Sequence, residues 1–321
     1  MTGIPLGGGA EFDRIRAIAG VLGQDAAGLG DDCAVLPPGF GEVVLSTDMS
    51  VEGVHFRAAW LSLEEIGWRA ASAALSDLAA AGAEVVGLTA SIGAPRGTSA
   101  EDLVEVMRGV GRAAAATSGR VLGGDLSTAP VWVLDVTVVG RAARPVGRRG
   151  AKPGDGVWVT GTLGGARAAL LAWEGGGQPE PGARSRFARP VPRVAEGRWL
   201  AAQGAHAMLD LSDGLGGDAV HLAAASGVRV ELELDQLPVD PAVVAAALSR
   251  GEPLQAFAAQ GGEDYELLVA LPKAFDEQAA RRFQQDTGTV LTRIGRIRRG
   301  SGVAASFAGV PVVLTGHDHF R

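Results

Sequence analysis

The chain has 321 residues, 47% of them hydrophobic, which is enough for one large or two ordinary domains with a sizeable core and excludes a disordered polypeptide. Its net charge of −7 leaves no basic footprint for nucleic acid, and no window holds the roughly 18 consecutive apolar residues of a membrane-spanning helix. The only cysteine, Cys33, excludes an internal disulfide framework and a cysteine-built zinc site, and MTGIPLGGGAEFDR lacks a basic-then-apolar signal, so a cytoplasmic protein is expected.

In chain order, Val43–Leu45 reads as a short strand running into Ser46, Thr47 and Asp48. The Ala-rich stretch Leu63–Ala81 reads as a helix closed by Gly82. Ser99 is placed to cap a helix that continues to about Thr117 and closes at Gly119. Val131–Gly140, rich in β-branched residues, reads as a strand. A Pro-, Gly- and Arg-rich segment, Arg144–Asp155, marks a domain boundary. Beyond it come a strand at Gly156–Thr160, a helix at Gly165–Trp173 and a Gly/Pro loop at Glu174–Arg186. A helix at Asp213–Ser226 and strands at Val228–Leu234, Tyr265–Leu271, Thr289–Ile297 and Val310–Leu314 complete a second α+β unit.

The acidic residues are not scattered. Five apolar segments carry Asp within them or at their ends: Leu29–Leu36, Val43–Met49, Ala73–Gly82, Val121–Ser127 and Ala207–Leu215. A carboxylate inside apolar sequence needs a partner or a metal. Here the candidates are Asp31, Asp32, Asp48, Asp77, Asp125, Asp210 and Asp213. Each alone also suits an N-cap or an Asx turn, Asp31 and Asp213 most of all. Together they have few basic residues within reach along the sequence, and hard divalent cations shared with a polyphosphate would relieve the repulsion. Glycines flank them, Gly30, Gly123, Gly124, Gly214, Gly261 and Gly262 among others, and such turns allow backbone to approach phosphate. A Walker-type loop is excluded, because the only lysines, Lys152 and Lys273, stand outside any GxxxxGK[ST] pattern.

Read in order, GLGDDCAV (28–35), STDMSVEGVHF (46–56), SDLAAAGA (76–83), GGDLS (123–127), GAKPGD (150–155), DLSDGL (210–215), GGEDYELL (261–268) and GHDHF (316–320) resemble the thiamine-monophosphate kinase family of the aminoimidazole ribonucleotide synthetase-like superfamily. The resemblance spans about Glu11 to Phe320, and STDMxVEGxHF with GGEDYEL is its most specific part. It implies a two-domain α/β (α+β) subunit with an ATP- and Mg²⁺-binding dimerisation domain at residues 1–146. A C-terminal α+β domain at residues 147–321 would complete the active site. The N-terminal sheet would pair across a homodimer. The implied activity is transfer of the γ-phosphoryl of ATP to thiamine monophosphate, with several Mg²⁺ ions and neither nucleic acid nor membrane as partner.

Carried over motif by motif, the resemblance makes Asp32, Ser46, Thr47, Asp48, Asp77, Asp125, Asp210 and Asp213 the Mg²⁺ ligands, some through backbone oxygen. Gly124, Asp125, Arg148 and Ser212 form the ATP-binding set, and His55, Glu263 and His317 the substrate-binding set. Asp48, Asp125, Asp210 and Arg148 would carry catalysis. His317 stands where the family pattern has a large aromatic, and Ala81 and Ala74 replace a Met and an Asn of that pattern. From the residues alone, His55 between Val54 and Phe56 also suits a core histidine, Glu263 a turn cap and Arg148 a solvated linker charge. The rival readings are another ATP-dependent enzyme of the superfamily and a noncatalytic nucleotide- or metal-binding relative. A selenophosphate synthetase would need a reactive Cys or Sec with a Lys near the N-terminus, and GGGAEF (7–12) has neither.

Overall fold

The computed structural model describes residues 17–23 and 38–314. They form two compact units: residues up to Ala143, apart from Ala79–Gly82, and residues from Arg144 onward together with Ala79–Gly82.

The first unit is built on a four-stranded sheet of β1 (Glu42–Val51), β2 (Glu84–Ala94), β3 (Val121–Thr128) and β4 (Val133–Ala142), in the order β1-β4-β2-β3. Only the β2–β3 pair is parallel. Strand β1 extends well past the expected Val43–Leu45. Its polar half stays in the ladder because each residue finds a partner on β4, Ser46 opposite Val138 and Asp48 opposite Val136. The helices of this unit include α1 (Leu63–Ala80) and α2 (Ala100–Ala116). Helix α1 is buried on nearly every side, with even Arg69, Ser72 and Ser76 at most 3% exposed. Helix α2 starts at the expected cap: Ser99 Oγ accepts the amide of Asp102 and the Asp102 carboxylate accepts that of Ser99, each at 3.1 Å.

The second unit carries a seven-stranded sheet in the order β11-β10-β7-β9-β5-β8-β6. Its strands are β5 (Gly156–Thr160), β6 (Ala207–Asp210), β7 (Arg229–Glu233), β8 (Leu267–Leu271), β9 (Leu291–Arg298), β10 (Gly302–Phe307) and β11 (Val310–Val312). Strands β5 and β8 are buried at every position, which is why they read as continuous apolar runs. Helices α3 (Gly165–Glu174), α4 (Pro181–Ala188), α5 (Val194–Ala202), α6 (Leu215–Ser226), α7 (Val243–Arg250), α8 (Leu254–Ala259) and α9 (Glu277–Thr287) complete it. Helix α4 replaces the second part of the expected loop at Glu174–Arg186. Pro181 at the start of the helix has no amide to leave unsatisfied, and Phe187 packs edge-on against Trp173 with ring centroids 5.4 Å apart.

Candidate active site

In the first unit the alternation of β1 sends its acids and hydroxyls to opposite faces. Ser46 and Asp48 share one face, and Ser46 Oγ donates to Asp77 Oδ2 on α1 at 2.5 Å. That face is the one covered by helix. Thr47 points the other way, donating to Asp135 Oδ1 at 2.7 Å and lying 3.1 Å from the Thr137 hydroxyl. The register carries this second face across the sheet: Met49 stands opposite Asp135, Asp135 opposite Ser91, and Ser91 beside Asp125. Asp125 is therefore exposed on the same face as Thr47 and Asp135, about 10 Å from Asp135 by strand spacing. The fold brings Ser46 to Asp77 and Thr47 to Asp135, and it holds the Asp125 side chain on the other face from Asp48. Gly124 has a packing reason as well: a Cβ there would lie 2.1 Å from the Ala90 carbonyl oxygen of the neighbouring strand. At the end of β3 an open cavity of about 290 Å³ is lined by Leu126, Ser127, Thr128, Thr98 and Leu103.

His55 sits in the turn after β1, half-buried, next to the buried Phe56. Its Nδ1 accepts the Val51 amide at 3.1 Å, and its carbonyl accepts Arg69 Nη2 at 3.2 Å.

In the second unit, Asp210 ends β6 at 7% exposure. Asp213 precedes α6 without capping it, because Gly214 occupies the N-cap position. Instead the Asp213 amide donates to Asp218 Oδ2 at 3.1 Å. Asp218, in the first turn of α6, is the acid that sequence reading missed. Burial, and then the charges of Asp210 and Asp213, push its carboxyl up to about 8, with the Asp213 amide and Arg148 opposing. Among the described residues no three acidic, His or Cys side chains converge as a preformed ion cage. Arg148 is exposed, and its carbonyl accepts the Ser226 hydroxyl at 3.0 Å, while that hydroxyl accepts the amides of Gly150 and Ala151 at 3.1 and 3.2 Å.

Ser212 meets the Glu263 segment through its backbone, accepting the Glu263 amide at 2.8 Å. Asp264, next to Glu263, accepts the Gly164 amide at the start of α3 at 2.9 and 3.0 Å. Burial holds its carboxyl well above the ordinary carboxylate range against the pull of that amide. Asp32 and His317 lie outside the described residues. Asp135 was also missed, although Asp inside the apolar run VWVLDVTVVG is the same signal that singled out its neighbours. Asp218 gave no such signal, because its crowding by Asp210 and Asp213 arises only from the turn between β6 and α6.

Comparison with known proteins decides the family. Residues 30–142 match the AIR synthase related protein, N-terminal domain, and residues 152–307 the corresponding C-terminal domain. A thiamine-monophosphate kinase of Mycobacterium tuberculosis is 37% identical over 75% of this chain and 74% of its own. The chain belongs to the thiamine-monophosphate kinase family. The family's structures extend the match: the enzyme from Stenotrophomonas maltophilia superposes with a TM-score of 0.82 at 34% identity, covering 96% of this chain and 98% of its own. AaThiL complexed with AMPPCP and TMP superposes with a TM-score of 0.78 at 33% identity over 97% of both chains. Both units of the chain thus carry the family fold. Among the described residues no helix is long and apolar enough to cross a membrane.

Proposed function

We propose that this protein is a thiamine-monophosphate kinase, transferring the γ-phosphoryl group of ATP to the phosphate of thiamine monophosphate to give thiamine diphosphate and ADP. The observation that carries this reading is full-length kinship with a relative complexed with AMPPCP and TMP, an ATP-like nucleotide beside the acceptor. The chemistry agrees with the residues present. A phosphate monoester has a second pKa of about 6, so the acceptor is largely dianionic at neutral pH and needs no general base. Direct in-line transfer then rests on positioning and on neutralising charge.

The donors available are hydroxyls and carboxylates, hard oxygen ligands of the kind Mg²⁺ takes. Asp32, Ser46, Thr47, Asp48, Asp77, Asp125, Asp210 and Asp213 would hold the ions. Bound Mg²⁺ supplies charge neutralisation between two polyanions. Gly124, Asp125, Arg148 and Ser212 bind ATP, with the guanidinium on phosphate oxygen, and the cavity beyond Asp125 offers apolar and hydroxyl lining to a nucleoside. His55, Glu263 and His317 bind the acceptor, with the Glu263 carboxylate against the cationic thiazolium ring. The protein works as a cytoplasmic homodimer through its first unit.

Purified protein with ATP and Mg²⁺ should release ADP with thiamine monophosphate and form thiamine diphosphate, and should leave free thiamine essentially untouched. Equal turnover of both acceptors would make the reaction hydroxyl phosphorylation and overturn the proposal.

A further inference from the structure

The segment from Gly261 to Glu266 runs beside Leu211 and Ser212 as a short ladder. Glu263 N donates to Ser212 O at 2.8 Å, Tyr265 N to Leu211 O at 2.9 Å, and Leu211 N to Glu266 O at 2.8 Å. Side chains that point inward anchor it. Asp264 accepts the Gly164 amide, and Glu266, 1% exposed, takes a two-pronged Arg193 at 2.6 and 2.8 Å and the Thr160 hydroxyl at 2.7 Å. Alternating with these anchors, Glu263 and Tyr265 are held at φ 69° and 50°, a region that non-glycine residues seldom adopt. Strain of this kind persists only where the surroundings over-determine it, and it marks segments whose side chains must point one way. Within this segment the Tyr265 hydroxyl donates to Glu263 Oε2 at 2.6 Å. That is the length of a charge-assisted O–H···O⁻ bond.

We propose that Tyr265 is a positioning residue that orients the Glu263 carboxylate for the cationic ring of the acceptor. The inference rests on the function proposed above for the identity of that acceptor. A glutamate side chain free to rotate would have to be ordered each time substrate bound, which weakens binding. The phenol does this ordering in advance. The Tyr265 ring is 7% exposed, so its packing is separable from its hydroxyl.

Tyr265→Phe keeps the ring and deletes the hydroxyl. The KM for thiamine monophosphate should rise about tenfold, with kcat and the KM for ATP within about twofold of wild type. In a Glu263→Ala background the same change should have no further effect on that KM. A second readout needs no substrate. The chain has a single tyrosine, so the tyrosine Fermi doublet in its Raman spectrum reports this hydroxyl alone. Wild type should show the pattern of a strong hydrogen-bond donor, and Glu263→Ala should lose it. An unchanged doublet in Glu263→Ala would overturn the contact. An active wild type whose Tyr265→Phe variant keeps its KM for thiamine monophosphate within twofold would overturn the positioning role alone. A wild-type protein that does not turn over thiamine monophosphate fails at the first assay, and that result overturns the function and this inference with it.

Discussion

His55 shows how one turn can set the chemistry of a side chain. The Val51 amide donates to Nδ1, so the neutral ring carries its proton on Nε2, and under the proposed function that N–H would meet the acceptor's phosphate. The two amide residues separate these roles. Asn places an acceptor near Nδ1 and nothing at Nε2, while Gln reaches the Nε2 position and deserts the Val51 amide. His55→Asn should therefore keep its melting temperature and raise the KM for thiamine monophosphate about tenfold. His55→Gln should hold KM better and lose about 1 kcal/mol of stability in chemical denaturation. The reverse order would show that the ring matters only to its turn. Asp48→Asn and Asp125→Asn keep side-chain shape and remove charge. Each should lower kcat at least about a hundredfold with the circular dichroism unchanged, since under the proposed function these groups hold the ions that neutralise transition-state charge. Near-normal turnover in either variant would remove that Asp from the metal set. That both acids close apolar runs was legible in the sequence. That they face opposite sides of the sheet was not, because the side is set by pairing with strands distant in sequence, Asp48 with Val136 on β4 and Asp125 with Ser91 on β2.

At the scale of elements, α1 and α2 touch through backbone. A Cβ on Gly67 would lie 1.9 Å from the Val106 carbonyl oxygen, and one on Gly109 equally close to the Glu64 carbonyl oxygen. Neither oxygen can move without moving its helix. Gly67→Ala should cost about 2 kcal/mol or more, despite the better helix propensity of Ala. One turn away the opposite holds. The Ser72 hydroxyl is fully buried and has no hydrogen-bond partner among the described residues, so Ser72→Ala should stabilise the protein by about 1 kcal/mol. Denaturant titration of the two variants checks both signs, and a Gly67→Ala variant as stable as wild type would mean that the helices can part freely. The helix itself was readable from its Ala-rich run, and α2 from Ser99, since both signals are local. Helix α4 hid in Gly and Pro because the contact that secures it, Phe187 on Trp173, is tertiary. Strand β1 was read too short for a related reason: Ser46, Thr47 and Asp48 look like the end of a strand until β4 supplies their partners.

At the scale of the molecule, the sheet of the first unit is unequally covered. One face carries Leu134, Val136 and Val138, all fully buried, and meets α1 through Ser46 and Asp77. The other leaves Val43, Leu45 and Met49 of the edge strand β1 at 53%, 67% and 52% exposure. Three large apolar side chains at alternate positions on one exposed edge are the kind of patch that a protein partner covers. Thr47, among them, bonds Asp135 and so keeps the row ordered. A second copy of the chain is the simplest occupant, because a twofold axis lets the same patch cover itself. Light scattering should then give twice the chain mass. Leu45→Glu would place a charge in that apolar contact, where it must be desolvated without a partner, and should shift the protein to monomer at micromolar concentration. Because Thr47 and Asp125 share this face, the monomer should also lose most of its kinase activity while its circular dichroism stays native. A Leu45→Glu variant that remains dimeric would place the interface elsewhere. A fully active monomer would show that the active site is complete within one chain.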